Sequence, residues 1–211
     1  NLNINGGGTL TLGASERIGA LTLVDVNAGE LALGVNNNTV GAFTLRGGGL
    51  LSGTGTLTAA TYALQGGSVN ANLGLGVASV TDGVTLLNGA LAAGTVGISS
   101  GTLVLGSTIS LAAGATLTIG GSGVLDTASN ANTITALNLN SGRVTGTGTL
   151  TAATYALVGG VVAGTLGGGT ATVTGSVSLT GMTLADNLNI NGGGTLTLGA
   201  SERIGALTLV D

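Results

Sequence analysis

The sequence contains no proline, cysteine, histidine or tryptophan, and its four basic residues are all arginine. Without cysteine and histidine it lacks the usual ligands of a zinc site. Without histidine and lysine, no base is available to activate a serine or threonine for nucleophilic catalysis. The lack of proline, in a chain whose glycines do not recur at every third residue, excludes a collagen triple helix. We therefore predict that the chain is not an enzyme and has no catalytic, cofactor-binding or metal-binding residue.

Charge is also scarce. Only 6% of the residues are charged and the formal net charge is −4, whereas globular domains carry about 25% charged residues. No basic run could neutralise a phosphate backbone, so we predict no nucleic-acid partner. An apolar content of 43% with low net charge is the opposite of the composition of disordered chains. The chain is expected to fold and to stay soluble through threonine, serine and asparagine.

The mean hydropathy of +0.62 raises the question of a membrane span. No residue from 83 to 125 is charged, but glycine, threonine, serine and asparagine interrupt the apolar residues throughout that stretch. No run approaches the roughly 20 consecutive apolar residues of a spanning helix. The three aromatic residues, Phe43, Tyr62 and Tyr155, are too few for interfacial girdles. We predict no membrane insertion of this segment.

What the sequence does contain is repetition. Residues 1–25 recur unchanged as residues 187–211, an offset of 186, and the segment GTGTLTAATYAL at 53–64 recurs at 146–157, an offset of 93. Self-similarity at a fixed spacing indicates a repeat architecture. We predict one continuous domain over 1–211, cut from a longer array, with units at approximately 2–94 and 95–187 and the start of a third at 188–211.

Within each unit, short segments alternate apolar and polar residues, which is typical of strands with one buried face. Examples are Leu10-Thr11-Leu12, Leu21-Thr22-Leu23, Leu31-Ala32-Leu33, Leu117-Thr118-Ile119 and Leu137-Asn138-Leu139. Turns rich in glycine and asparagine separate the strands, at 5–8, 35–38, 65–67 and 140–142. No segment shows a sustained helical period.

Strands that recur every ~20 residues predict an all-β fold, a right-handed parallel β-helix with about five rungs per 93-residue unit. One unit divides into coils at about 95–114, 115–135, 136–153, 154–172 and 173–187. At about 4.8 Å per rung, about eleven rungs would form a rod of about 50 Å.

The acidic residues are the only candidates for acid–base chemistry: Glu16, Asp25, Glu30, Asp82, Asp126, Asp186, Glu202 and Asp211. Glu16 and Glu202 each precede an arginine, which we interpret as a solvated loop pair and not as a general acid. The segment GGSGVLD at 120–126 resembles a calcium-binding β-roll motif, but Asp126 lies one position too late and the motif does not recur in tandem. We interpret it as a turn.

Two further patterns point to ligand binding only weakly. Thr-x-Thr pairs, which a flat ice-binding face would show on every rung, occur at 9/11, 56/58, 116/118, 149/151, 172/174 and 195/197. Their spacing skips rungs, so threonine is better explained as the polar partner of leucine in a strand. Tyr62 and Tyr155 are one unit apart and cannot form a joint stacking platform for a sugar. We predict that each tyrosine fills a corner of the β-helix, as does Phe43.

The segments GGGTLTLGAS, GSGVLDT and GTGTLTAATYALQGG resemble the Gly/Thr/Leu-rich passenger repeats of large bacterial surface adhesins, the autotransporter and filamentous-haemagglutinin-like proteins. The resemblance covers the whole chain. It implies a β-helical stalk at the cell surface of a Gram-negative bacterium, or outside the cell, with a role in adhesion or biofilm formation. No cofactor is implied.

Three alternatives remain beside the stalk. The first is a self-assembling extracellular filament or sheath, since end rungs offer unpaired edges. The second is an ice-binding module, and the third is a carbohydrate-active enzyme. The partners expected are neighbouring repeats of the same chain, further copies in fibres, and a host surface, an abiotic surface or glycans.

Overall fold

A computed structural model describes residues 1–107, 110–181, 186–199 and 205–210. These residues form strands, turns and bends, and none of them lies in a helix that could cross a membrane. The strands are β1 (Leu2–Asn5), β2 (Thr9–Thr11), β3 (Leu23–Asn27), β4 (Glu30–Ala32), β5 (Asn38–Ser52), β6 (Thr56–Val69), β7 (Asn72–Leu73), β8 (Val77–Val80), β9 (Val84–Leu87), β10 (Thr95–Ile98), β11 (Thr102–Leu105), β12 (Thr116–Ile119), β13 (Val124–Asp126), β14 (Asn132–Leu139), β15 (Arg143–Thr145), β16 (Thr149–Val162), β17 (Thr165–Leu166), β18 (Thr170–Leu179), β19 (Asn187–Asn191), β20 (Thr195–Leu198) and β21 (Ala206–Val210).

The strands pair in parallel and wind into a solenoid of about ten turns, close to the eleven rungs expected. Most strands inside the stack pair with one strand in the coil before and one in the coil after, as β3 does with β1 and β5. Backbone N–H and C=O groups inside the stack are therefore satisfied from both sides. The predicted all-β parallel β-helix is confirmed.

Each coil has three faces. Face A contains β1, β3, β8, β10, β12, β19, β21, the central parts of β5, β6 and β16, the last part of β14 and the first part of β18. Face B contains β2, β4, β9, β11, β13, β15, β20 and the last parts of β5, β6, β16 and β18. Face C contains β7, β17 and the first parts of β5, β6, β14 and β16. In β6 the corner between faces C and A shows as two successive outward residues, Ala60 and Thr61, between buried Ala59 and Tyr62. Inward and outward side chains therefore alternate within a face, and this alternation shifts by one residue at the corner.

The ladder on face A shows how the coils differ in length. Its inward residues, one per coil, are Leu2, Val24, Phe43, Tyr62, Ala78, Val96, Leu117, Leu137, Tyr155, Ala171, Leu188 and Leu207. The longest coil runs from Leu2 to Val24, and the coil from Tyr62 to Ala78 is among the shortest. Five coils separate Leu2 from Val96, and five more lead to Leu188, so the predicted five rungs per unit are confirmed.

The predicted coil boundaries agree with the ladder to within two positions. The fourth coil of the second unit, from Tyr155 to Ala171, is shorter than the coil predicted at 154–172. The shortening comes from the tight connection 167–169. Gly169 has a φ of 136°, and a Cβ there would collide with the carbonyl oxygen of Ala152 and lie 3.0 Å from the Tyr155 ring. Only glycine can take this route over the tyrosine.

The core is a continuous stack of inward side chains running the length of the rod. Leu31, Leu33, Leu117 and Leu137 are fully buried, as their alternation predicted. Burying a leucine stabilises the fold by roughly 1.5–3 kcal/mol. Because contacts join only neighbouring coils, stability is nearly additive along the stack.

Three local expectations were wrong. The strand predicted at Leu21-Thr22-Leu23 with inward leucines instead begins at Leu23, and Leu21 is 94% exposed. The predicted turn at 35–38 ends earlier, because Asn38 starts β5 and is buried. The glycine pair at 65–67 bends β6 without ending it. In each case the neighbouring coil, and not the local pattern, decides which residues continue the ladder.

Candidate functional site

Three of the carboxylates connect one coil to the next. Glu16 accepts hydrogen bonds from the backbone N–H of Thr39 (3.1 Å) and from its hydroxyl (3.3 Å). Glu30 accepts a hydrogen bond of 2.5 Å from the Ser52 hydroxyl. Glu16 is exposed, as expected, but its hydrogen-bond partner is Thr39 and not the adjacent Arg17. Glu202, the equivalent residue, lies outside the described residues, as does Asp211.

The third of these carboxylates, Asp25, forms an ion pair with Arg46 on the outer side of face A. The guanidinium donates from Nη2 to Asp25 Oδ2 at 2.6 Å and from Nε to Oδ1 at 3.0 Å. The two side chains are 45% and 25% exposed. The hydrogen bond to Asp25, and secondarily its negative charge, raise the pKa of Arg46. This pair holds neighbouring coils in register but, being solvated, adds little to stability.

The other described carboxylates support turns. Asp82 accepts from the backbone N–H of Gly83, and Asp126 accepts from that of Ala128 at 2.7 Å. Asp186 accepts at 2.9 Å from the N–H of Gly169, which lies in the tight connection 167–169 one coil earlier, so this carboxylate also connects neighbouring coils. Asp126 therefore begins an Asx-type turn at the end of β13. The interpretation of 120–126 as a turn holds for residues 120–123, where Gly123 N–H donates to the Gly120 carbonyl, but residues 124–126 form β13. Across the described ranges, no three carboxylates approach each other closely enough to hold a metal ion.

Tyr62 and Tyr155 are buried and perform the same structural role in the two units. The Tyr62 hydroxyl accepts from Ala59 N–H (2.9 Å) and lies 3.0 Å from the carbonyl oxygen of Leu57, to which it donates. Tyr155 makes the equivalent contacts with Ala152 and Leu150 at 2.8 and 3.0 Å. Burial is the main cause that raises the pKa of both phenols. Neither ring is open to a sugar, and both lie at the corner predicted for them; Phe43 is likewise buried next to a corner.

Face C contains two buried asparagines that were not predicted from the sequence, Asn38 and Asn132. Asn132 accepts from Leu111 N–H at 3.2 Å and donates to the Ser107 carbonyl at 3.1 Å. Asn38 accepts from Arg17 N–H at 2.9 Å and Ile18 N–H at 3.3 Å, but its buried Nδ2 has no partner. The signal was available in the sequence, since NNNTV at 36–40 and NANTI at 130–134 lie one unit apart.

The Thr-x-Thr pairs are scattered over the three faces. The pairs at 9/11 and 195/197 lie on face B, those at 56/58 and 149/151 on face C, and the pair at 116/118 on face A; Thr174 has left face A at a corner. On no described face do these six pairs occupy successive coils. The regular threonine array that an ice-binding face requires is therefore not formed by these pairs.

Two shallow concavities lie at the N-terminal end of the stack. A groove of about 400 Å³ lies against coil 1, which we define as residues 1–22, and its apolar lining includes Leu2, Leu10, Leu12 and Ile18, with Arg17 at its edge. A second groove of about 310 Å³ continues along Ile4 and Thr9. This surface is the side of coil 1 that faces away from β3 and β4.

No family model, curated protein or solved structure matches the chain. The functional interpretation therefore depends on the geometry described above and on the resemblance of the repeats.

Proposed function

We propose that this chain is a structural stalk segment of a large secreted bacterial adhesin or surface fibre, in which stacked coils supply length and stiffness. The observation that carries the proposal is the unbroken parallel ladder on face A, from Leu2 to Leu207. A ladder of this kind transmits load along its axis, because each described coil is hydrogen-bonded to the next along face A.

The use of the polar groups supports a mechanical role. The described carboxylates bind the next coil or a turn, and both tyrosine hydroxyls bind backbone groups at a corner. None of these carboxylates and hydroxyls is clustered with others in a cleft, as acid–base catalysis requires. We propose on this basis that the segment is not an enzyme and carries neither cofactor nor metal.

The location and the partners are proposals that depend on the resemblance to adhesin repeats. We place the segment outside the cell or on the surface of a Gram-negative bacterium, where its neighbouring repeats are its main partners. The low charge and the threonine- and asparagine-rich outer columns, such as Thr116, Thr118 and Asn138 on face A, present a neutral surface that offers hydrogen bonds to glycans.

Electron microscopy of the intact parent protein, purified and on cells, tests the proposal. A β-helix with ~19-residue coils and a rise of ~4.8 Å per coil extends by ~0.25 Å per residue. Thin rods of that length projecting from the cell would support the stalk. Compact particles, or a length that does not grow with the number of units, would overturn it.

A self-assembling filament is the second candidate, favoured by the low charge of the chain, of which 6% of the residues are charged, because weakly charged rods can pack side by side. Rods that bundle or join away from the cell in the same micrographs would favour the filament over the stalk.

A further inference from the structure

Face B has an apolar patch on its outer surface, which we define as Leu50, Val84, Leu86, Val104 and Val124. Their side chains alternate with the buried residues of β5, β9, β11 and β13 and therefore point outward. Val84 is 60% exposed and the other four are partly exposed. The strand register places Leu50, Leu86 and Val104 in one column of face B, and Val84 and Val124 in the column beside it. The patch therefore extends over the successive coils from β5 to β13.

The patch is local and is not shared by all repeats. At the offset of 93 residues, Leu50 corresponds to Arg143 and Val104 corresponds to Thr11. The repeat fold therefore does not require an apolar side chain at these outward positions.

The segments VTLL at 84–87 and VSLT at 177–180 also lie one unit apart, but they face opposite ways. In the second segment the valine and the leucine are buried. In the first they point outward and Thr85 is fully buried in their place, where its hydroxyl accepts from Gly66 N–H at 3.2 Å. A departure of this kind from the buried-apolar pattern is expected where a surface has a function.

Two charged residues of opposite sign lie at equal distances from the centre of the patch. On face B, Glu30 is three coils before β9 and Arg143 is three coils after it. Arg143 is exposed and forms no ion pair among the described residues, and Glu30 accepts from the Ser52 hydroxyl. Of the other carboxylates nearby, Asp126 binds the N–H of a turn and Asp82 lies in the corner before β9.

We propose that face B docks on face B of a second copy of this chain, with the two rods antiparallel and related by a two-fold axis beside Leu86. A two-fold contact of this kind brings the same patch of both copies together. It places Leu86 against Leu86 of the second copy, and it places the coil of Glu30 opposite the coil that contains Arg143 of the second copy. Two equivalent ion pairs then flank the apolar centre. Parallel rods would place each charged coil opposite itself and would form neither pair.

The dimensions of the solenoid fit this arrangement. Facing sheets pack about 10 Å apart, a gap that outward side chains of both sheets fill. Glu30 and Arg143 are six coils apart, about 29 Å along the rod at about 4.8 Å per coil. They occupy adjacent columns, a sideways step that the long arginine side chain can span. The ion pairs fix orientation and register, while the patch supplies the apolar burial.

A contact of about six coils is at the small end of specific interfaces. We therefore expect a weak dimer that forms as the concentration rises. The inference needs the solenoid fold and depends on neither adhesion nor export.

Two valines of one coil provide a matched test of the face. Val84 begins β9 on face B and is 60% exposed, and Val77 begins β8 on face A and is 50% exposed. Val84→Asp places a charge that docking must remove from water. We expect it to weaken self-association of the full chain, measured by sedimentation equilibrium, at least tenfold, whereas Val77→Asp should leave self-association unchanged.

Circular dichroism confirms that both variants are folded before they are compared. If the unmodified chain stays monomeric up to about 1 mM, or if the two aspartate variants associate equally well, the proposal is overturned.

Charge reversal tests the antiparallel orientation. Glu30→Arg alone, or Arg143→Glu alone, places like charges opposite each other at both ends of the patch, and each variant should self-associate at least tenfold more weakly than the unmodified chain. An equimolar mixture of the two variants restores both ion pairs and should associate as strongly as the unmodified chain. Misfolding of either variant could not produce this rescue. A mixture that associates no better than its components would contradict the proposal, whatever micrographs of the parent protein show.

Discussion

Residues 53–64 and 146–157 have the same sequence, and their structures agree as well. In both, the tyrosine hydroxyl accepts from the N–H group three positions earlier and donates to the carbonyl five positions earlier. In both, a glycine two positions before the next inward alanine passes over the ring, Gly76 in the first unit and Gly169 in the second. Each segment lies between complete coils on both sides.

The two copies of the 25-residue segment behave differently. In the first copy Leu2 pairs with Val24. In the second, the equivalent Leu188 pairs with Leu207 and not with Val210, the equivalent of Val24. The third strand of the segment is therefore shifted by three positions. Because three is odd, the shift exchanges the inward and outward sets of side chains. Leu21, 94% exposed, corresponds to Leu207, which continues the inward column.

The sequence LTLVDV at 21–26 permits both registers, since either Leu21 and Leu23 or Val24 and Val26 can point inward. In the first copy β5 lies on the far side and selects the valines: Val24 packs beside Phe43, and Asp25 meets Arg46. In the second copy β21 has no described strand on its far side to make that selection. Identical sequence thus gives identical structure only where both neighbouring coils are the same.

Truncation of either buried tyrosine should lower the free energy of unfolding more than any other change proposed below. It also tests whether the two units are equivalent. Tyr62→Ala and Tyr155→Ala each remove a buried ring and a hydroxyl that joins corner backbone groups. We expect each to lower the free energy of unfolding by about 3–5 kcal/mol, measured by denaturant titration. Because the two environments match, the two losses should agree within about 0.5 kcal/mol when a single transition is observed. A difference of several kcal/mol would show that the units are not equivalent.

The buried asparagines extend the comparison to a pair whose partners differ. Asn132→Leu leaves Leu111 N–H unpaired and removes one of the two hydrogen bonds to the Ser107 carbonyl, which still accepts from the Ser110 hydroxyl. The substitution should cost about 1–3 kcal/mol. Asn38→Leu also leaves backbone N–H groups unpaired, but it removes an Nδ2 that had no partner. We therefore expect Asn38→Leu to be less harmful by about 1 kcal/mol in the same titration. Equal losses would mean that the unpaired Nδ2 carries no penalty.

The register difference can be tested with equivalent substitutions. Val24→Ala shortens a side chain that is 2% exposed. The substitution should cost about 1.6 kcal/mol, at about 0.8 kcal/mol per buried carbon. The equivalent residue, Val210, is 50% exposed. Val210→Ala should therefore lower the free energy of unfolding by less than about half of the loss expected for Val24→Ala. Equal losses in a denaturant titration would contradict the difference in register.

Cysteine pairs report the same register directly. Asn189→Cys with Thr208→Cys should form a disulfide, because these residues are paired. The same positions in the first copy, Asn3→Cys with Thr22→Cys, should not, whereas Asn3→Cys with Asp25→Cys should. Efficient Asn3–Thr22 cross-linking would show that both copies share one register.

Alkaline pH should lower the free energy of unfolding by a smaller, graded amount, and this loss should arise from the tyrosines alone. Their pKa values are raised in the folded chain, mainly by burial, so the folded state retains protons that the unfolded state loses above about pH 10. Stability is therefore full below about pH 10 and falls as the pH rises through the raised pKa values. With no lysine or cysteine in the chain, the double variant Tyr62→Phe and Tyr155→Phe should flatten this part of the stability profile. A profile that falls equally in the variant would contradict the assignment.

Most of the architecture was predictable because it depends on short-range patterns. Alternation placed Leu31, Leu33, Leu117 and Leu137 in the core, where they are fully buried. The repeat offset predicted five coils per unit, and the ladder from Leu2 to Leu188 contains two such sets. Glu16 was correctly interpreted as a solvated loop residue, but the partners of Glu16 and Asp25 are one coil away and could not be identified from their sequence neighbours.

By itself, the sequence determined that the chain is an all-β solenoid and set the length of its repeat, because period-2 alternation and self-similarity are properties of the chain alone. Only the tertiary structure decided which alternation LTLVD adopts at each end, that Asn38 enters the core, and what each carboxylate binds. Those outcomes depend on the coil above or below, since in a parallel solenoid the partners of a residue lie a whole coil away along the chain, and the coils differ in length.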